Sequence, residues 1–142
     1  MTTRPGQYFT VFGAVLAVAG GFVSWYEMTA LFGGYSIVSV DANGWHEPYA
    51  GLSIMAIGLC VTAGLVALAE LLFRNARNSE TVSTVGIVPI GLGVTAFGLV
   101  VAKYLAEPHY ASVGFLVSGC AAAFVALGGL LSLAVSLAPR TD

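Results

Sequence analysis

The chemistry-bearing residues of this chain gather in two short segments. His46-Glu47-Pro48-Tyr49-Ala50 and Glu107-Pro108-His109-Tyr110-Ala111 hold both histidines and two of the seven carboxylates. Imidazole and carboxylate together suit zinc or copper. Convergence of His46, Glu47, Glu107 and His109, with Asp41 as a further donor, would therefore make a divalent-metal site. A plainer account also fits: Pro in a first helical turn, beside a carboxylate that favours a helix N-terminus. No two of these ligands stand four apart on one helix, so the plainer account leads. Two such starts imply a weak two-hairpin repeat. Haem is disfavoured, because neither His lies within an apolar run where an axial ligand of a membrane cytochrome would sit.

Other chemistries lack their residues. Cys60 and Cys120 both fall inside apolar runs with no C-x-x-C spacing, which reads as packing and not as a redox pair. There is no phosphate-binding loop, dinucleotide fingerprint or Ser/His/Asp arrangement, so the chain reads as non-enzymatic with no organic cofactor. A formal charge of -2 leaves no basic patch for nucleic acid.

The elements that must carry these residues are long and oily. Hydrophobic residues form 58% of the 142 and charged residues 8%, against about 25% charged in soluble domains. Four apolar stretches, about 8–28, 50–73, 82–105 and 111–137, each exceed the roughly 20 residues that cross a bilayer. The expected fold is an all-α membrane protein: one domain over 1–142, a four-transmembrane-helix bundle with a short β-hairpin in an outer loop, 29–49. Ala17-Val18-Ala19 resembles a signal-peptide cleavage site, but apolar sequence continues through Val23, so the segment reads as a retained first helix. Arg4, Arg74, Arg77 and Arg140 lie on one side of this plan, and only Lys103 on the other. The positive-inside rule then predicts cytoplasmic termini in the plasma membrane.

Ionisable side chains avoid the centres of the runs. Glu70 with Arg74 and Lys103 with Glu107 are spaced for interfacial ion pairs. No carboxylate stands mid-helix, which argues against a proton-driven antiporter. Small residues at four-residue spacing mark close helix contacts: Gly13, Ala17 and Gly21; Ala56, Cys60 and Gly64; Gly114, Ser118, Ala122 and Ala126. Pro89 predicts a kink or tightened first turns in the third helix.

The outer loop has strand character. Tyr35 to Val40 alternates and is β-branched, Met28 to Phe32 is its candidate partner, and Gly33-Gly34 the turn. Trp25, Tyr26, Tyr35, Trp45 and Tyr49 read as an aromatic belt at the water–lipid boundary.

Gly20-Gly21-Phe22-Val23-Ser24-Trp25, Gly44-Trp45, Gly51, Tyr110-Ala111-Ser112-Val113-Gly114-Phe115 and Gly128-Gly129 together resemble a group of small four-helix membrane proteins of actinobacteria and haloarchaea. Ser24 stands where that group usually has Pro. The layout is also similar to the claudin topology, although the Thr29–Tyr49 loop has no Cys pair.

These features point to an accessory subunit or self-assembling scaffold, partnered by the bilayer and by other membrane subunits or itself. The expected contact residues are Tyr35, Trp45 and Tyr49 in the loop and Gly114, Ser118, Ala122 and Ala126 on the last helix. The alternatives are an oligomeric channel or small-solute transporter, lined by Thr62, Thr84, Thr95, Ser112 and Ser118, and the metal-binding module.

Overall fold

In lipid, backbone amides must bond within their own segment, so apolar runs fold as helices. The computed structural model describes residues 4–32, 35–43, 45, 50–73, 82–106 and 113–138. Helices α1 (Arg4–Gly21), α2 (Ala50–Phe73), α3 (Val82–Ala106) and α4 (Val113–Leu137) follow one another, with strands β1 (Ser24–Phe32) and β2 (Tyr35–Asn43) after α1. The strand backbones pair antiparallel, with Glu27 opposite Asp41 and Met28 opposite Val40.

The first helix departs most from its expected bounds of 8–28. It starts at Arg4, with Pro5 in its first turn, where the missing N–H costs nothing. It stops at Gly21. Phe22 N donates to Ala19 O at 3.1 Å and Val23 N to Gly20 O at 3.3 Å, tightening the last turn. Beyond the glycines, Val23, Trp25 and Tyr26 favour extended backbone, so the residues from Ser24 onward leave the helix.

Three helices are long and apolar enough to cross a membrane: Gly51–Phe73, Gly86–Ala106 and Val113–Leu137. Among the described residues the fourth helix, α1, does not meet that measure. Helix α1 has 18 residues, about 27 Å at 1.5 Å per residue, and includes Arg4, Gln7 and Thr10. In the three spans only 33–39% of the most apolar window is buried. Most of each span therefore faces outward, and those outward side chains include Leu65, Val94, Leu116 and Leu127. Such a surface suits hydrocarbon and not water.

Buried positions step alternately by three and four residues. They are Gly6, Thr10, Gly13, Ala17 and Gly20 on α1, and Ser53, Ala56, Cys60, Ala63 and Ala67 on α2. On α3 they are Gly86, Pro89, Gly93, Ala96, Val100 and Lys103, and on α4 Ser118, Ala121, Val125, Gly128 and Ser132. A mean step of 3.5 keeps each seam facing its neighbours and implies left-handed crossing near +20°.

Glycine sets the spacing of the seams. A β-carbon at Gly13 would lie 2.8 Å from Ala121 O and 2.9 Å from Val125 N, and one at Gly93 would lie 2.6 Å from Ala126 N. These pairings run α1 and α3 antiparallel to α4. Helix α2 packs on α1 and α3, and α2 and α4 meet lightly across the diagonal. Lipid tails are as apolar as leucine, so the bundle is held by dispersion and close Cα–H contacts along these seams.

Candidate functional site

The expected small-residue ridge on α4 lies mostly inside the bundle. Gly114, Ser118 and Ala122 are buried and Ala126 half-buried. Ser118 lies by Gly20 of α1, and Ala122 and Ala126 lie by Gly93 of α3. The ridge is thus used within the molecule, because glycine on both neighbouring helices admits the α4 backbone. The metal candidates His46, Glu47, Glu107 and His109 lie outside the described residues, as does Tyr49. Among the described residues no three His, Cys, Asp or Glu side chains gather as a metal site. Tyr35 is described as backbone on β2.

At the end of the bundle nearest the strands, Trp45 is half-buried against the core. Its ring lies 5.8 Å from that of Phe22, tilted by 51°. A β-carbon at Gly21 would lie 2.8 Å from the indole Nε1, so glycine there seats the Trp over the bundle end. Ser53, Ser118 and Lys103 are also buried. Lys103, expected to reach for the interface, is only 3% exposed. The Ser118 hydroxyl is buried without a hydrogen-bond partner. It borders a gap at the bundle centre lined by alanines 17, 56, 96 and 122 and by Cys60, with no room for a water molecule. Of the residues expected to line an oligomeric pore, Ser118 is buried at this gap, and Thr62 and Thr95 are exposed.

The opposite end carries a polar cluster that the sequence did not flag. Gln7 Nε2 donates to Glu70 Oε2 at 3.0 Å across the α1–α2 seam. Gln7 is 2% exposed and its amide oxygen has no partner. Thr10 Oγ1 donates to Gly6 O at 3.1 Å, and Ser132 packs on Gly6. Arg74, the expected partner of Glu70, lies outside the described residues. The signal was available in the spacing: Gln7 and Thr10 fall on the same three-and-four rhythm as Gly13 and Ala17.

The outward faces of α2 and α3 hold the remaining unusual feature. Among the described residues, β-carbons at Gly51 and Gly58 of α2, and at Gly91 and Gly98 of α3, would meet nothing within 4 Å. Each pair is separated by seven residues, the repeat of the internal seams. Thr62 and Thr95 stand exposed on the same helices and donate to Gly58 O and Gly91 O, each at 2.8 Å. Their hydroxyls are satisfied within their own helices, and large apolar side chains such as Met55, Leu65, Ile87 and Val94 stand exposed on the same two helices.

No protein-family model, curated protein or solved structure matches the chain. The functional reading rests on the chain's own residues.

Proposed function

We propose that this chain is a non-enzymatic, four-pass protein of the plasma membrane, acting as an accessory subunit or self-assembling scaffold. Helix α1 supplies the fourth crossing, and the few basic residues favour cytoplasmic termini with the Ser24–Trp45 region outside. The lateral contact surface is the outward face of α2 and α3 and replaces the α4 ridge. The β-paired segment, with Tyr35 and Tyr49, forms the outer recognition surface. Trp45 contributes less there, since half of it seals the bundle.

The observation that carries this reading is the placement of Gly51, Gly58, Gly91 and Gly98 where no described residue covers them. Elsewhere glycine occupies the seams, where a neighbouring helix needs the space. Facing lipid alone, a glycine costs about 1 kcal/mol of helix stability relative to alanine and gains no contact. Most other outward positions carry large side chains, such as Phe12 and Val15 on α1, Met55 and Leu65 on α2, and Ile87 and Val94 on α3. A close-approaching helix from another chain gives the four glycines the role that the others already have.

A channel assembled from several copies has less support, because the hydroxyls of Thr62 and Thr95 are already donated to backbone carbonyls. The deciding experiment is purification from native membranes in mild detergent, with mass measurement of the intact particle. A stoichiometric complex or homo-oligomer is expected, and Gly58→Leu with Gly98→Leu should disperse it while the helical content stays unchanged. A monomer indifferent to both substitutions would overturn the proposal.

A further inference from the structure

We infer that the β1–β2 ribbon docks on the bilayer, with one face on the acyl–headgroup boundary and the other in water, a placement that rests on the four-pass reading proposed above. Five consecutive residues of β1, Tyr26 to Ala30, pair without a register shift to residues 42 down to 38 of β2. Successive residues of a strand take opposite faces. Tyr26, Met28 and Ala30 therefore share one face with their partners Ala42, Val40 and Val38, and Glu27 and Thr29 share the other with Asp41 and Ser39. Over this stretch the two faces divide cleanly by polarity. Tyr35 lies outside it, beyond the irregularity between Ala30 and Leu31.

The polar face identifies its own medium. Glu27 stands directly opposite Asp41, and like charges so placed repel across the ladder. Water weakens that repulsion, and a surrounding of low dielectric strengthens it. The acidic face is therefore the wet one. The apolar face needs a cover, since a two-stranded hairpin is marginal by itself in water. Helix α4 lies beside β1, and no described helix packs to a like extent on β2.

Lipid is the cover because of where the ribbon is rooted. Gly64 of α2 packs on Ala14 of α1, and a β-carbon at Gly21 would lie 3.0 Å from Ile57 Cδ1. Helix α1 therefore ends level with Ile57. Helix α2 begins seven residues before Ile57, at Ala50, which is about 10 Å farther along at 1.5 Å per residue. The start of β1, at Ser24, follows Gly21 by way of the exposed Phe22 and Val23. The end of β2, at Asn43, stands two residues before Trp45, which is seated on Gly21. Both ends of the ribbon are thus tied about 10 Å inside the end of α2. The 24 residues of α2 measure about 36 Å, against a hydrocarbon core of about 30 Å. That level falls within the acyl region, close to its boundary. An amphipathic ribbon rooted there buries its apolar face by lying along the boundary.

The test uses the full chain in phosphatidylcholine liposomes. Met28→Cys, Val40→Cys, Thr29→Cys and Ser39→Cys, each in a Cys60→Ala, Cys120→Ala background, carry a fluorophore in turn. Quenching by doxyl-labelled phosphatidylcholine in both leaflets is compared with quenching by iodide on both sides. Probes at 28 and 40 should quench several-fold more with the lipid, and probes at 29 and 39 several-fold more with iodide. Equal behaviour at all four positions would overturn the inference. So would probes at 28 and 40 shielded from both quenchers, which would put protein on that face. The contrast reads the same whichever side of the membrane the ribbon occupies. Repeating it with Gly58→Leu and Gly98→Leu present separates it from subunit assembly, so that either reading can fail while the other stands. Should the labelled variants not fold, wild-type protein is irradiated with a photoactivatable phosphatidylcholine. Adducts within residues 26–30 or 38–42 support the placement, and adducts confined to the helices refute it.

Discussion

Replacing Gly13 and Gly58 separately by alanine tests the architecture, because both changes add the same methyl group to a helix interior. At Gly13 the new carbon would lie 2.8 Å from Ala121 O and 2.9 Å from both Val125 N and Val125 Cγ2. Favourable carbon contacts begin near 3.5 Å, so the α1–α4 seam must open by roughly 0.6 Å. Two of the three obstructing atoms are backbone and cannot rotate away. Overpacking of this kind costs about 1–3 kcal/mol. At Gly58 the same carbon meets nothing within 4 Å, and only the helix preference for alanine remains, about 1 kcal/mol in favour. That preference acts at Gly13 as well and cancels in the comparison. Gly13→Ala is therefore expected to be less stable than Gly58→Ala by about 1–3 kcal/mol. The assay is reversible unfolding in mixed micelles, titrated with SDS and followed by helical circular dichroism. Equal stability of the two variants would refute the seam, and with it the antiparallel pairing of α1 with α4.

Two further outcomes check the bundle and its orientation. A membrane-permeant maleimide should label Cys120, which is exposed, and leave buried Cys60 untouched until the protein is unfolded; equal labelling of both in the folded state would contradict the interior. With Cys60 and Cys120 replaced by serine, Ser39→Cys should react with an impermeant thiol reagent on intact cells and Ser79→Cys should not; the reverse pattern would invert the proposed topology.

Much of the helical plan was legible from hydropathy, and the reasons are local. The second helix begins at Ala50 and ends at Phe73 as expected, because Pro48 precedes it and Arg74 follows it. The third runs through Pro89 to Ala106. The end of the first was misjudged, since the apolar residues past Gly21 extend the hydropathy signal without extending the helix. Hydropathy does not distinguish Val23, Trp25 and Tyr26 in a strand from the same residues in a helix. The ridges were read at a four-residue step. That step collects Gly114, Ser118 and Ala122, but misses Ala121 and Val125, which the seam of α4 also uses. Gln7 escaped notice because a single amide near a chain start looks like an interfacial residue. It bonds across to Glu70 of α2, and no local pattern encodes that.

The distribution of side-chain size separates the interior of the bundle from its perimeter. Inside, Ala63, Ala96, Ala121 and Ala122 are fully buried, and the axial gap that Ala96 and Ala122 help to line has no room for water. A passage through one bundle needs polar groups or free volume along its length, and alanine against alanine offers neither. The interior instead favours short interhelical distances, which fix the four helices as a rigid block. Rigid blocks in lipid communicate through their perimeters. There, α1 presents Tyr8, Phe9 and Phe12, with Phe9 and Phe12 against Phe124 of α4 at 5.9 Å and 5.4 Å, a bulky surface that acyl chains wet readily. Helices α2 and α3 present glycine and threonine alongside large side chains such as Met55, Leu65, Ile87 and Val94, and the small positions leave notches that another helix fills better than acyl chains do. The perimeter is therefore asymmetric, and its small-residue side is the one a second subunit can approach most closely.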